Sequence, residues 1–353
     1  MTRVSVAMAT FDGARFVEAQ VRSILDQSRA PDEVVVGDDG SRDGTLDLVR
    51  RMVDEHGGSA MLRILSPGDR LGVAGNFARV LDAVSGEIVV LADQDDVWRS
   101  DRIAVALDAL ADRAASLVFG DADLIDGEGA VQPETLFGTL PVHQSELQRV
   151  DAGDAFGVLL RRNIVTGATV AVRRSLIESA LPIPPEWLHD EWLAIWAAAF
   201  GGVRRTPERL VGYRLHGANV IGVSAPTLTR RIRRVLEPRG ERTRTLALRS
   251  AALAARLAAA GADPERVRGA EGKARFEAAR AELRPARLLR PPASSGSPRQ
   301  GITRVSRARG RSTWFAICCS RLFRWSADAA RCARTAPAKP SDSRSRSTST
   351  RTR

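Results

Sequence analysis

Over the first 120 residues, short β-branched runs alternate with segments whose apolar residues recur at helical spacing. Strands joined by crossover helices produce that rhythm, which restricts the chain to an α/β fold with a mostly parallel sheet flanked by helices. VSVAMAT (4–10), EVVVGD (33–38), MLRIL (61–65) and EIVVLAD (87–93) read as strands, and SLVFGDADLID (116–126) as a fifth that runs into polar loop residues. Helices are expected over 15–27, 45–55, 73–84 and 101–111, the last with Ser100 as N-cap. In the first of these, Phe16, Val17, Val21, Ile24 and Leu25 share one face. Open sheets of this kind collect ligands at the carboxyl ends of their strands. Asp12, Asp38, Asp39, Asp93 and Asp95 all follow strands.

The rhythm loosens after Leu136, with ATVAVRRSL (168–176), a Trp-rich helix from His189 and VGYRLHGANVIG (211–222). Residues 227–282 are rich in Ala, Arg and Leu at helical spacing, broken at Pro238 and again near 261–264. No internal repeat is visible. Three segments follow: an α/β domain over 1–225, a helical extension over 226–283 and a basic tail over 284–353.

The net charge of +11 points at first sight to a nucleic acid or a membrane, but its distribution decides otherwise. Of the 53 Lys and Arg, 17 lie after residue 283, with only two of the 42 acids, so residues 1–283 carry a net −4. No nucleic acid is therefore expected as a partner of the folded body. A nucleic-acid-binding protein acting through its tail is the alternative from another class. All three cysteines, Cys318, Cys319 and Cys332, also fall in the tail, so nothing in the body points to an oxidising compartment. The tail lacks periodicity, as a disordered basic arm would. The preferred reading is translation in a shifted frame of a GC-rich gene, since 301–319 re-read one base back yields an ordinary amphipathic sequence. The N-terminus reads as a strand, not a signal peptide, and WLAIWAAAF (192–200) is about half of the ~20 residues a bilayer span needs. A cytoplasmic protein is expected, with a peripheral contact to the membrane.

LADQDDVW (91–98) places Asp93, Asp95 and Asp96 at the end of a buried strand. Asp-x-Asp there supplies hard oxygen ligands for Mg²⁺ or Mn²⁺, and such a cation would neutralise a diphosphate. In GDDGSRDGT (37–45), Ser41 and Asp43 read as caps, leaving Asp39 to accept a pyrimidine imide N–H or bind ribose hydroxyls. Thr10, Phe11 and Asp12 of TFDG (10–13) stand on the neighbouring strand end and could line the same base pocket. GVAGNF (72–77) resembles a phosphate loop without its lysine, and Asn76 either contacts the donor or turns the chain. WLHDEWLAIW (187–196) sets Asp190 and Glu191 at a helix start beside tryptophans, where a carboxylate can be made basic enough to act as a general base. His216, in a Gly-containing loop after a strand, can reach a metal or a pyrophosphate.

In this order VSVAMATFDG, VVVGDDGSRDGT, GVAGNF, LADQDDVW, NIVTGATVAV, HDEWL and YRLHGANVIG resemble the inverting glycosyltransferases of family 2, which have a GT-A fold, over about residues 3–222. The QDDVW, HDEW and YRLHGANVIG forms look most like the rhamnosyltransferase-like branch that builds bacterial surface polysaccharides. The resemblance implies a nucleotide-binding half over 1–125 and an acceptor half over 126–225. It implies that Asp39 binds the pyrimidine, Asp93 the ribose or the metal, and that Asp95 is the main metal ligand with His216 at the metal–diphosphate end. Asp190 would be the catalytic base, with Thr166, Gly167 and Ala168 near the acceptor. The implied donor is dTDP-rhamnose or another dTDP- or UDP-sugar, such as UDP-galactose or UDP-N-acetylglucosamine. The implied acceptor is a glycan or lipid-linked saccharide. A nucleotidyltransferase would carry a Gly-rich, basic loop after the first strand, where this chain has TFDGARF.

Overall fold

The computed structural model describes residues 2–57, 60–65, 70–216 and 239–282, all within a compact unit of residues 1–286. The tail, and with it the frame-shift reading, lies outside the described residues, as does the expected boundary at 225/226.

Strands β1 (Val4–Thr10), β2 (Glu33–Asp38), β3 (Met61–Leu65) and β4 (Ile88–Asp93) alternate with helices α1 (Val17–Leu25), α2 (Thr45–His56) and α3 (Gly72–Ala83). All neighbouring pairs among these strands are parallel, in the order β4-β1-β2-β3. Both faces are covered, so the strands are apolar at nearly every position rather than at alternate ones. On β1, Val4, Val6 and Met8 pack with Val21 and Ile24 of α1 on one face, while Ala7 joins Phe77 of α3 on the other. That is the two-residue period of a strand.

The short strand β5 (Val97–Trp98) precedes α4 (Arg102–Ala109). Asp101, not Ser100, occupies the N-cap of α4, and its carboxylate pairs with Arg99 instead of capping the helix. The expected strand over 116–126 is two strands, β6 (Leu117–Phe119) and β7 (Asp123–Ile125), which enter different sheets. Between them Asp121 accepts the N–H of Ala122 and of Phe137, which turns the chain at that point.

There follow β8 (Val131–Thr135), α5 (Leu136–Thr139), α6 (Gln144–Asp151), α7 (Ala155–Arg161), a 3-10 turn (Gly167–Thr169), β9 (Ala171–Arg173), α8 (Arg174–Ala180), α9 (His189–Phe200), β10 (Val203–Arg205) and β11 (Val211–Arg214). The large sheet runs β10-β6-β9-β4-β1-β2-β3, with β9 antiparallel to both its neighbours. Beside it stands a four-stranded sheet, β5-β11-β7-β8, which the sequence pattern did not separate from the first.

Helices α10 (Arg239–Ala259) and α11 (Pro264–Glu282) form a hairpin that turns at Gly261. Leu253, Ala254, Leu257 and Ala270 are buried in the same core as Trp192 and Trp196 of α9. The extension is thus packed onto the α/β body through a shared hydrophobic cluster. None of the described helices is long and apolar enough to cross a membrane.

Candidate active site

β4 ends at Asp93, and the loop after it carries Asp95 and Asp96 beneath β11. From β11, Arg214 donates its backbone N–H to Asp96 Oδ1 (3.0 Å) and its Nε–H to the Asp95 carbonyl (2.7 Å). Two residues on, His216 Nε2 lies 2.7 Å from Asp95 Oδ2. The acidic loop and the YRLH segment, more than a hundred residues apart in sequence, therefore form one unit.

Gln94, which the sequence reading passed over, ties that loop to the first strand end. Its Oε1 accepts the Phe11 N–H (2.8 Å) and its Nε2 donates to the Phe11 carbonyl (3.0 Å). Gly13 sits against it, and a Cβ there would stand 2.2 Å from Gln94 Oε1. Asp43 accepts the N–H groups of Ala14 and of Thr45, the first residue of α2, and so joins the TFDG loop to that helix, but the N-cap position is Gly44 and neither Ser41 nor Asp43 occupies it. Asp12 has a φ of 44° and accepts the Arg42 N–H.

Of the residues expected around a nucleoside, Thr10 and Asn76 are buried behind the strand ends. The Thr10 hydroxyl donates to Asp38, and Asn76 Nδ2 donates to the Gly37 carbonyl (2.7 Å). Asp39 accepts the N–H of Leu71 (2.6 Å) and of Gly72 (2.9 Å) at the start of α3, with Arg70 at 3.6 Å. The Arg70 guanidinium lies 3.8 Å over the Phe11 ring. Phe11 and Asp39 thus stand at the ends of β1 and β2, each with a partner on the segment leading into α3.

Asp190 stands in the first turn of α9, its Oδ2 accepting the Gly167 N–H (2.9 Å) and its Oδ1 the Glu191 N–H (2.8 Å). A Cβ at Gly167 would lie 3.0 Å from His189 Nε2 and 3.2 Å from Asp190 Cβ, so any larger residue there would have to push the start of α9 back by a few tenths of an ångström. Glu191 points elsewhere and pairs with Arg249 of α10. His189 is buried and stacked 3.8 Å from the Phe77 ring, with neither ring nitrogen hydrogen-bonded. Burial lowers its pKa to about 3, which keeps the imidazole neutral.

Negative charge accumulates at this strand end. Desolvation, then the charges of Asp95 and Asp190, raise the pKa of Asp93 to about 7. Asp96 is also pushed well above the usual carboxylate range, by burial and by Asp95 and Asp93. Its Oδ2 is buried without a partner. Burial raises Asp190 as well, against the N–H groups that it accepts. The cation that opposes the rise of both Asp93 and Asp96 is Arg102, buried, stacked 3.9 Å over Trp98 and bonded to the Leu91 carbonyl. Desolvation lowers its own pKa to about 9. Neither Asp96 nor Arg102 could be assigned from spacing, since each matters through what it faces.

Among the described residues no three His, Cys, Asp or Glu side chains converge as a ready-made metal centre. Two carboxylates at a strand end nonetheless suit Mg²⁺, which keeps waters and completes its shell with substrate phosphate oxygens. The excess of hard oxygen donors over positive charge fits such a cation.

Residues 5–174 match the family model described as Glycosyl transferase family 2. This segment is a family 2 glycosyltransferase domain. Among curated relatives, an uncharacterized glycosyltransferase of Nostoc sp. is 26% identical over 223 residues, 62% of this chain and 66% of that one. The dTDP-rhamnosyl transferase RfbG of Shigella flexneri is 32% identical over 107 residues, 29% of this chain and 36% of that one. The chain thus spans less than two thirds of the length of these relatives. Among solved structures, S. aureus TarS 1–349 in complex with UDP-GlcNAc superposes with a TM-score of 0.52 at 16% identity, covering 76% of this chain and 69% of that one. The expected GT-A fold is the fold observed. The family 2 match contains the TFDG, DDGS and DQDD segments, whereas Asp190 and His216 lie beyond it.

Proposed function

We propose that this chain is a metal-dependent, inverting glycosyltransferase that moves rhamnose from dTDP-rhamnose to a hydroxyl of a glycan or lipid-linked acceptor. It would act in bacterial surface polysaccharide synthesis at the cytosolic face of the membrane. The observation that carries this reading is the meeting of Asp93 and Asp95 with Asp190, from distant segments, at one strand end of a family 2 domain. The Shigella relative's name supports the choice of donor.

Asp39 accepts the imide N–H of the pyrimidine with lone pairs that Leu71 and Gly72 leave over, and Phe11 and Asp12 border the nucleoside. Thr10 and Asn76 serve the pocket from behind by fixing the ends of β1 and β2. Asp95 and Asp93, backed by His216, would hold Mg²⁺ or Mn²⁺, which when bound supplies positive charge to the departing diphosphate. Asp190, oriented by the Gly167 and Glu191 N–H groups, takes the proton of the acceptor hydroxyl as its oxygen bonds to C1 of the sugar. The C1–oxygen bond to the nucleoside diphosphate breaks in the same displacement, so the anomeric configuration inverts. No second carboxylate is needed to protonate the leaving group.

Calorimetric titration of the chain with dTDP, UDP and GDP, with and without Mg²⁺ or Mn²⁺, tests this. dTDP should bind at least about tenfold more tightly with the cation, a difference of about 1.4 kcal/mol. Asp95→Ala should abolish that gain. Equal affinity with and without cation in both proteins would remove the metal and Asp95 from the site.

A further inference from the structure

A cavity of about 600 Å³ lies between α7, α9, α10 and α11. Six cationic side chains line it: Arg161, Arg162, Arg242, Arg249, Lys273 and Arg280. Only two carboxylates do, Glu191 and Glu277. The pairing inside it is uneven. Glu191 is taken by Arg249, and Glu277, 1% exposed, is shared by Lys273 (2.8 Å) and Arg280 (2.8 Å). Arg162 is balanced from outside the cavity by Glu146. Arg161 and Arg242 make no ion pair among the described residues. Three positive charges are therefore left over, in a body whose residues 1–283 are net negative. Such a concave cationic surface concentrates anions, and guanidinium forks match phosphate oxygens.

Asn163, Thr243 and Ser250 add neutral polar groups to the lining, and Leu159, Leu246, Leu253 and the ring of Trp187, over which Arg249 lies at 4.3 Å, form an apolar wall. One wall is Glu191, the residue after Asp190, so the cavity backs directly onto the turn that holds the proposed base. We infer that this cavity receives the phosphate or diphosphate of an anionic, lipid-linked acceptor, with the apolar wall against the first carbons of its chain. This assignment rests on the transferase reading for the word acceptor, but the anion site itself does not.

The test titrates the full chain, in EDTA to silence cation-supported binding at the acidic loop, with inorganic pyrophosphate and with farnesyl diphosphate. Both should bind, the farnesyl compound at least about tenfold more tightly. Arg161→Ser combined with Arg242→Ser should weaken both at least about tenfold while leaving the melting temperature unchanged, because both side chains are exposed and unpaired. If the double variant melts lower, each single variant should still show a weaker site in a protein that melts normally. Unchanged affinity in correctly folded variants, or no binding to the wild type, would overturn the site. Equal affinity for the two probes would assign the cavity to a free anion and overturn the acceptor assignment. Metal-dependent dTDP binding, measured on the same protein preparations in EDTA-free buffer with Mg²⁺ or Mn²⁺ added, separates the two readings. Its absence with diphosphate binding intact sinks the transferase reading alone, and the reverse sinks the cavity alone.

Discussion

Asp190 and Glu191 are neighbours of similar chemistry that the fold treats differently. Asp190 accepts two backbone N–H groups and borders the Asp93–Asp95 loop, whereas Glu191 is tied up by Arg249 on another helix. The HD pair at a helix start was legible in the sequence, but the fold decided that Glu191 is held in an ion pair from α10 while Asp190, the proposed base, makes none among the described residues. Replacing Asp190 with Asn keeps the shape and removes the base. Transfer should fall by about 10² to 10⁴, the usual worth of general base catalysis, with dTDP affinity within about twofold of wild type. Glu191→Gln should cost far less. Single-turnover kinetics beside calorimetry would show this, and full turnover in Asp190→Asn would move the base elsewhere.

At the scale of elements, the register of β2 depends on a buried carboxylate at its first residue. Glu33 is fully buried, yet it accepts the Ser5 hydroxyl, the Ser85 N–H and hydroxyl, and Arg63. Desolvation raises its pKa, but these donors outweigh it and lower the pKa to about 2, against 4.5 in an unfolded chain. A depressed pKa contributes stability that is complete above the unfolded value and is lost as pH falls through the folded one. Glu33→Gln should therefore be less stable than wild type by up to about 3 kcal/mol at neutral pH. The gap should close between pH 4.5 and about 2 in urea denaturation series, and a gap independent of pH would exclude the charge as its cause. The hairpin of α10 and α11 is held differently, by apolar side chains. Leu257, with no exposed surface, should cost about 2–5 kcal/mol on replacement by Ala, read from the same denaturation curves. The strands up to β4 and the start of α9 could be read from periodicity alone. The strand expected over 116–126 could not, because one apolar run serves two sheets and only Asp121 marks the break.

For the whole molecule, all the proposed donor-site residues fall between Thr10 and His216, within the unit that ends at Ala286. Removing residues 287–353 should leave dTDP affinity within about twofold, although it removes all of the excess positive charge and leaves a net −3. A large loss on truncation would place part of the donor site in the tail. The sequence by itself determined the class of fold, the strand ends on which the acids stand, and the charge asymmetry between body and tail, since these follow from local period and composition. The tertiary structure alone decided that Arg214 and His216 close over Asp95 and Asp96, that Gln94 locks the first loop to the acidic one, and that β9 enters the sheet antiparallel. It also decided that the cationic residues of α7, α10 and α11 surround one cavity behind Asp190. Those contacts join residues far apart in the chain, and spacing along a sequence carries no record of which side chains the crossovers will bring face to face.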